Sequence, residues 1–156
     1  MDSFLNEIVS KSLEKAALAG DAGEIPVAAA VFIPEQKRLV SLCANRSRHD
    51  KDPSAHAEIL AIREACRILN AARLDGCDLY VTLEPCPMCA AAIGFAHVRR
   101  LYFGAYDVKS GGVEHGPQIY RAPSCHYAPE VYGGIGQTKA GDLLKTFFSQ
   151  LRRDDA

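Results

Sequence analysis

The chain has 156 residues, of which 48% are hydrophobic and 24% are charged, and its formal net charge is −1. These values fit one compact soluble domain over residues 1–156. No run of about 18 or more apolar residues occurs, which excludes a transmembrane helix. The acidic start Met1–Glu7 lacks the basic segment of a secretory signal. We therefore expect a cytoplasmic protein, whose balanced charge leaves nucleic-acid binding to local basic patches.

The first part of the chain predicts one helix followed by two strands. Apolar residues recur at three-to-four spacing over residues 4–18, which is typical of an amphipathic helix. Asp2 or Ser3 is expected to cap this helix, and Gly20 is expected to end it. Apolar runs on either side of a turn at residues 34–36 predict paired strands over Val27–Ile33 and Arg38–Ala44.

The rest of the chain alternates helices and strands. A polar loop over residues 45–52 precedes a helix that is expected to start at Pro53–Ser54 and to continue through Leu69. Pro87 suits the first turn of a further helix, because an N–H has no partner there. Three short strands and a final helix are predicted at Leu79–Leu83, Leu101–Phe103, Val131–Tyr132 and residues 143–153. This order predicts the α/β class, as a three-layer α/β/α sandwich around a mixed sheet.

Two short motifs carry the residue types of a catalytic metal site. His56-Ala57-Glu58 is followed, 30 residues after the histidine, by the first cysteine of Pro85-Cys86-Pro87-Met88-Cys89. One imidazole and two thiolates supply three ligands for a tetrahedral zinc ion. Three protein ligands leave the fourth position open for water, which is the catalytic arrangement rather than the structural one. The sequence therefore predicts one zinc ion per chain.

His56 and the Cys86-x-x-Cys89 pair each lie where a predicted helix begins. The three-residue spacing brings both sulfurs to one side of the first turn, and the positive end of the helix dipole favours thiolate over thiol. Bound zinc lowers the pKa of its water to about 7. Glu58 is too close to His56 to bind the same ion easily, but it can reach that water, which makes it the candidate general base and acid.

Each of these features also has a simpler explanation. A single histidine in an apolar stretch is usually structural, and a lone Cys-x-x-Cys pair serves redox chemistry or a zinc knuckle. Cys125-His126 is either an accidental pair or an alternative set of ligands. A non-catalytic zinc-binding module therefore stays open as an alternative, although a closed structural site would have a fourth Cys or His where this chain offers Glu58.

A longer set of motifs surrounds these residues and extends over nearly the whole chain. It comprises Glu24–Val27, Ala44–Arg46, His49–Asp50, Pro53–Glu58, Leu79–Ala90, Phe103–Gly112, Phe147–Phe148 and Arg152–Arg153. On these motifs the chain resembles the cytidine deaminase-like superfamily, and within it the bacterial tRNA-specific adenosine deaminases. The His-x-Glu and Pro-Cys-x-x-Cys motifs together are the known signature of zinc nucleobase deaminases.

The resemblance implies a fold, a reaction and a partner. The implied fold has five strands flanked by helices, and the implied assembly is a homodimer in which each active site borders the partner chain. The implied reaction hydrolyses the wobble adenosine of a tRNA anticodon stem-loop to inosine and releases ammonia. His56, Cys86 and Cys89 correspond to the zinc ligands of the family, and Glu58 corresponds to its proton shuttle.

The resemblance also implies residues that contact the substrate. Asn45 looks like the base-contacting asparagine of the family, since its amide both donates and accepts hydrogen bonds. The alternative is a turn residue at the end of a strand. Ala57 and Pro85 are further implied substrate contacts. The implied tRNA contacts are Arg46, Asp107, Lys109, Phe148, Arg152 and Arg153, and their basic members suit phosphate groups, although a charged run is more often a solvated surface.

Two features depart from the family pattern. Ala28 stands where the family often has glycine, and its methyl group is expected to narrow the pocket. The segment Pro117–Pro129 is unfamiliar, which leaves the substrate contacts there open. Moreover, Pro-Cys-Pro-Met-Cys also occurs in guanine deaminases of the same superfamily, so the zinc motif alone does not select the substrate. A deaminase of free nucleobases or nucleosides, of the guanine or cytosine type, therefore stays open as a second alternative.

Overall fold

A mixed sheet of five strands forms the centre of the computed structural model, which describes residues 2–155. The strands are β1 (Ala28–Ile33), β2 (Arg38–Ala44), β3 (Asp78–Leu83), β4 (Arg100–Ala105) and β5 (Glu130–Tyr132). Their order across the sheet is β2-β1-β3-β4-β5. β1 pairs antiparallel with β2 and β3, whereas β3 with β4 and β4 with β5 are parallel. The predicted mixed five-stranded sheet is confirmed.

Helices cover both faces of this sheet. In the described part of the chain they are α1 (Ser3–Asp21), α2 (Ala57–Leu69), α3 (Pro87–Phe95) and α4 (Gln137–Asp154). Successive side chains of a strand point to opposite faces, so Ala30 and Phe32 of β1 pack with α1, while Ala29 and Val31 share a core with α2 and α3. α4 lies beside α1. The predicted three-layer sandwich is confirmed.

The start of α2 differs from the prediction. The helix begins at Ala57, whereas Pro53 and Ser54 lie in a turn before it. The Asp52 carboxylate accepts hydrogen bonds from the N–H and the hydroxyl of Ser54, at 2.9 Å and 2.7 Å, and these bonds stabilise the turn. His56 keeps an extended backbone and is the N-cap of the helix rather than a residue of its first turn.

Both ends of α1 show how local chemistry sets a boundary. The Asp2 carboxylate accepts the Leu5 N–H at 2.7 Å, so the predicted cap at Asp2 is confirmed. The predicted stop at Gly20 is wrong, because the helix continues to Asp21. The chain turns away at Gly23, whose φ of 87° favours glycine. Across residues 2–155, no helix has both the length and the apolar character that a bilayer crossing requires.

The carboxyl ends of three strands meet at one edge of the sheet. Leu83 at the end of β3 pairs with Ala105 at the end of β4. β1 runs in the opposite direction, and its first residue, Ala28, pairs with Ala44 at the end of β2. The loops that leave these three strands therefore start side by side, where α/β sheets place their ligands. They carry Asn45, Glu84 and Asp107.

Candidate active site

His56, Cys86 and Cys89 converge at this edge of the sheet. His56 is the N-cap of α2, and Cys86 is the N-cap of α3. The Nδ1 atom of His56 lies 3.6 Å from the Cys86 sulfur and 3.5 Å from the Cys89 sulfur. A nitrogen and a sulfur bound at about 2.0 Å and 2.3 Å to one tetrahedral zinc ion would lie about 3.5 Å apart. The spacing of these atoms therefore fits zinc.

These three residues, which we call the ligand cluster, are also the right donor set. Zinc prefers imidazole nitrogen and thiolate sulfur, and three such ligands leave one position free. Within residues 2–155 they are the one group of three or more His, Cys and carboxylate side chains whose ligand atoms all lie within 4.8 Å of one another. Cys125 is not part of it, and its sulfur donates instead to the Tyr127 carbonyl at 3.3 Å. The alternative ligand pair of Cys125 and His126 is therefore not assembled.

The ligand cluster shares protons between its members. A hydrogen bond from Cys89 lowers the pKa of Cys86 to about 4, and the same contact raises the pKa of Cys89. The hydrogen bond between His56 and Cys86 raises the pKa of His56. One thiolate is therefore already favoured before any metal enters. A divalent cation would displace the remaining protons, as metal binding to cysteine and histidine requires.

Glu58 lies one residue inside α2 and is buried beside the ligand cluster. Burial raises the pKa of Glu58 to about 7, and the negative charge of Cys86 adds to the shift while the charge of His56 opposes it. A carboxyl group that titrates near neutral pH can both accept and release a proton under physiological conditions. Glu58 therefore has the proton affinity that a general base and acid needs.

A second buried carboxylate, Glu84, lies between the end of β3 and Cys86 and was missed by the sequence analysis. Its side chain accepts five hydrogen bonds, which come from the N–H groups of Asp107, Val113, Glu114 and His115 and from the His115 ring. Burial alone would raise the pKa of Glu84, but these donors outweigh it and hold the pKa below the usual range. Glu84 is thus a fixed anion that ties the loop after β4 to the cysteine motif.

A third buried carboxylate, Glu24, plays the same part for the loop after β2. It accepts hydrogen bonds from the N–H groups of Ile25 and His49, at 3.1 Å and 3.0 Å. It also accepts one proton of the Asn45 amide at 2.8 Å, and the other proton goes to the Ser47 hydroxyl at 2.9 Å. Asn45 is therefore buried with its nitrogen occupied, and its oxygen is the end that is left to accept a hydrogen bond from a ligand.

The structure places the two other predicted substrate contacts beside the ligand cluster. Ala57 directly follows His56 and is fully buried. Pro85 precedes Cys86 and is also buried, and its carbonyl accepts the Gly112 N–H at 2.8 Å. This bond connects the cysteine motif to the same loop that Glu84 holds.

The predicted tRNA contacts form two groups around the site. Asp107 and Lys109 lie in the loop after β4, where Lys109 is exposed and the Asp107 carboxylate accepts the Ser110 N–H at 2.9 Å. Arg46 lies in the loop after β2 and pairs with Asp50 at 3.0 Å. The remaining three are exposed on α4, namely Phe148, Arg152 and Arg153.

The loop after β2 is joined to α4 by a cation–π contact. The Arg48 guanidinium lies 5.9 Å from the centre of the Phe147 ring, and the ring of Phe148 packs edge-on against Phe147. The loop that carries Arg46 therefore lies next to the part of α4 that carries Phe148, while Asp107 and Lys109 lie in a different loop.

Comparisons with known proteins agree with this geometry. A family profile described as the cytidine and deoxycytidylate deaminase zinc-binding region matches residues 2–105, which include the whole ligand cluster. A tRNA-specific adenosine deaminase from Agrobacterium fabrum (strain C58) is 47% identical over 144 residues, which are 92% of this chain and 93% of that protein. The chain belongs to the tRNA-specific adenosine deaminase family.

Solved structures place the fold within the same group of enzymes. A structure from a study of A-to-I editing by tRNA A34 deaminases at the wobble position is similar, with a TM-score of 0.86 and 45% identity over 89% of this chain and 99% of that chain. A guanine deaminase from Nitrosomonas europaea shares the fold with a TM-score of 0.77 and 25% identity, over 91% of this chain and 83% of that one. The recognition made from the sequence motifs is confirmed.

The two departures from the tRNA-specific adenosine deaminase pattern have separate explanations. The alternation of β1 places the Ala28 methyl group on the α1 face, whereas α2 and α3 carry the ligand cluster on the other. The methyl group therefore does not face the ligand cluster. The segment 117–129 packs a short helix, Ile119–Arg121, against α3. Its Tyr120 hydroxyl is the one buried side-chain oxygen or nitrogen in residues 2–155 without a hydrogen-bond partner.

Proposed function

We propose that this protein is a zinc-dependent hydrolase that converts adenosine to inosine at the wobble position of a tRNA anticodon. The observation that carries the proposal is the ligand cluster, spaced as zinc requires, beside the buried carboxyl group of Glu58. Family membership supports the choice of substrate, because the relative at 47% identity is a tRNA-specific adenosine deaminase. The guanine deaminase is more distant, at 25% identity.

The reaction follows from the roles of the residues at the site. His56, Cys86 and Cys89 would hold the zinc ion, which when bound supplies a water that ionises near neutral pH. Glu58 would take one proton from the attacking water and give it to a ring nitrogen, while the water oxygen bonds to the purine carbon that bears the amine. Glu58 would then carry the second proton, from the hydroxyl group so formed, to the departing amine. The carbon–nitrogen bond breaks, ammonia leaves, and the purine keeps the oxygen.

Asn45, Ala57 and Pro85 are the proposed contacts of the base. Glu24 orients the Asn45 amide so that its oxygen is the free end, and Asn45 would therefore accept a hydrogen bond from the bound nucleoside. Ala57 and Pro85 would form walls next to the ligands they adjoin. An adenosine in a single-stranded anticodon loop can enter such a pocket without the breaking of a base pair.

The two groups of predicted tRNA contacts are retained as the proposed contacts of the tRNA. Asp107 and Lys109 belong to the loop after β4, and the second group consists of Arg46, Phe148, Arg152 and Arg153. Cationic side chains suit phosphates, and an exposed aromatic ring suits an unstacked base. We expect their substitution to weaken binding of a stem-loop more than binding of a free nucleoside.

The assembly proposed for this enzyme is a homodimer formed through α3. Phe95 is 79% exposed on this helix, and Met88 is exposed on its first turn next to the ligand Cys89. Large apolar side chains on a helix that carries the ligands support a protein partner at that face. The proposal includes one deaminase domain over residues 1–156 and a cytoplasmic location, where tRNA is found. Sedimentation of Phe95→Asp against the parent protein tests the dimer, which the variant should weaken.

One substrate panel tests the proposed function. Zinc-loaded protein is incubated with unmodified tRNA, an anticodon stem-loop, adenosine, cytidine and guanine, and mass spectrometry identifies which of them loses an amine. We expect inosine at the wobble position of both RNAs and no change in the small molecules. Turnover of guanine or cytidine alone would favour the free-base alternative. No turnover of any substrate would favour a non-catalytic zinc module. Glu58→Gln protein serves as the matched inactive control.

A further inference from the structure

We propose that Glu84 is a positioning residue, which fixes the loop over residues 107–115 so that its tip grips the substrate beside the zinc ligands. The inference rests on the proposed function and deepens it. It assigns a role to a carboxylate that does not belong to the ligand cluster and is fully enclosed by protein.

The hydrogen bonds of Glu84 use both of its oxygens. Oε1 accepts the Asp107 N–H at 3.1 Å and the His115 ring at 2.8 Å. Oε2 accepts the N–H groups of Val113, Glu114 and His115 at 3.3 Å, 3.0 Å and 3.1 Å. The two ends of the loop are thereby joined at one side chain. Neutral glutamine cannot replace it, because its NH2 group would face the three N–H donors of residues 113–115 in one orientation and the Asp107 N–H in the other.

The loop is also built to lie against the cysteine motif. A Cβ atom added at Gly112 would lie 2.6 Å from the Pro87 nitrogen and 2.9 Å from the Cys86 carbonyl carbon. A Cβ atom added at Gly111 would collide with the Glu84 carboxylate and, equally closely, with the Asp107 carbonyl oxygen. Glycines permit this close approach but leave the free backbone flexible. The Glu84 bonds therefore supply the order that the glycines do not.

The tip of the loop presents groups that suit a nucleotide. Val108 is 74% exposed, and Lys109 beside it is exposed as well. The Asp107 carbonyl accepts the Gly111 N–H at 2.9 Å, so the tip is a closed turn. An apolar side chain can contact a sugar or base, and an ammonium group can contact a phosphate. Glu84, which holds this turn, lies two residues before Cys86 in the sequence. It therefore sets the distance between the tip of the loop and the reacting atoms.

The test compares Glu84→Gln with Asp78→Asn. Asp78 begins the strand that Glu84 follows, its side chain is 1% exposed, and it pairs with Arg99 at 2.8 Å, so the control also removes one buried charge. Three quantities are measured on zinc-loaded protein: zinc per chain, amide hydrogen exchange of peptides over residues 106–116, and the kinetics of stem-loop deamination.

For Glu84→Gln we expect one zinc per chain, exchange of the loop amides faster by about tenfold to hundredfold, and a KM for the stem-loop raised about tenfold. We expect a smaller fall in kcat, because the ligand cluster and Glu58 are untouched. Asp78→Asn should leave the exchange of the loop and the KM unchanged. Gly111→Ala displaces both the Glu84 carboxylate and the Asp107 carbonyl. It should therefore also speed the exchange of the loop amides, with Glu84 still present.

Three results would overturn the proposal. Loop exchange at the parent rate in Glu84→Gln would show that Glu84 does not hold the loop. Faster exchange with an unchanged KM would reduce Glu84 to a purely structural role. Loss of zinc would place its action on the ligand cluster instead. If the parent protein failed to deaminate the stem-loop, the proposed function would fail, while hydrogen exchange would still decide whether Glu84 anchors the loop.

Discussion

Glu58 and Glu84 are both buried carboxylates at the same edge of the sheet, with 5% and 2% of their surfaces exposed, yet their pKa values shift in opposite directions. Burial dominates at Glu58 and raises its pKa to about 7. At Glu84 the same penalty is outweighed by five hydrogen-bond donors. Where burial outweighs the hydrogen bonds, as at Glu58, the carboxyl group can exchange a proton near neutral pH, whereas the donors around Glu84 keep it a fixed anion.

The comparison also separates two tasks within one site. Glu58 lies on a helix beside the ligand cluster, where the proposed reaction moves a proton. Glu84 lies in the segment before Cys86, where a loop has to stay in place. Because the chemistry of the two side chains is the same, their surroundings decide their roles. Substitutions of the two residues should therefore differ in kind.

The largest expected effect is on the chemical step. Glu58→Gln keeps the size of the side chain but cannot carry a proton, so kcat should fall about 10²- to 10⁴-fold. Zinc content, measured by atomic emission, should stay at one ion per chain, because the ligand cluster is unchanged. Turnover of a stem-loop at the parent rate would contradict the role of Glu58 as proton carrier.

The next effect is on stability, and here the two residues should differ in sign. Glu84→Gln should lower the free energy of unfolding of the metal-free protein at pH 8 by about 2–4 kcal/mol, since donors in the interior lose a charged acceptor. Glu58→Gln should raise it by about 1–2 kcal/mol, because it removes a buried charge that has few partners. Urea titration measures both. Destabilisation of similar size in the two variants would break the comparison.

The pH dependence of stability sharpens the same contrast. The folded-state pKa of Glu84 is lowered, so its contribution is present above its ordinary pKa of 4.5 and is lost as the pH falls through the lowered value. The folded-state pKa of Glu58 is raised, so its contribution is present below 4.5 and is lost as the pH rises through about 7.

Urea titrations of metal-free parent, Glu58→Gln and Glu84→Gln proteins between pH 3 and pH 8 test these windows, on the order-of-magnitude basis of the linkage relation. The difference in free energy of unfolding between the parent and Glu84→Gln should shrink as the pH falls below 4.5. The free energy of unfolding of the parent should fall relative to that of Glu58→Gln as the pH rises from 4.5 to about 7. A common window for both variants would show that their surroundings do not separate them.

The smallest effect is expected for a glycine-to-alanine substitution in α4, which serves as a control for Gly111→Ala in the loop. A Cβ atom at Gly141, inside α4, meets no atom within 4 Å. Gly141→Ala should therefore stabilise the protein by about 0.5–1 kcal/mol, because alanine is the better helix former. Thermal unfolding measures the change. Gly141→Ala is thus the control for Gly111→Ala. Equal destabilisation by the two substitutions would show that the close contacts at Gly111 are not the cause of its effect.

The sequence predicts the parts of this molecule that depend on local pattern and ligand chemistry. The turn at residues 34–36 and the run that follows it located β2 at its observed bounds, Arg38–Ala44. The spacing of His56, Cys86 and Cys89 predicted a shared metal, since few other functions require that donor set. Both signals can be read without knowledge of which segments meet in space.

The parts that were missed depend on contacts between distant segments. Glu84 finds its partner His115 at a separation of 31 residues, and Glu24 finds His49 at 25. Neither carboxylate shows in the sequence whether it faces water or a set of N–H donors. The start of α2 was misplaced for a local reason, because the Asp52 side chain holds Ser54 in a turn that comes before the helix.

X-ray absorption at the zinc edge of the purified protein tests the central claim most directly. The account predicts two sulfur ligands at about 2.3 Å and two nitrogen or oxygen ligands at about 2.0 Å, one of which is exchanged by a small inhibitor. A sulfur shell with three or four members, or a fourth ligand that no small molecule displaces, would identify a closed structural site and would contradict the assignment of a deaminase centre.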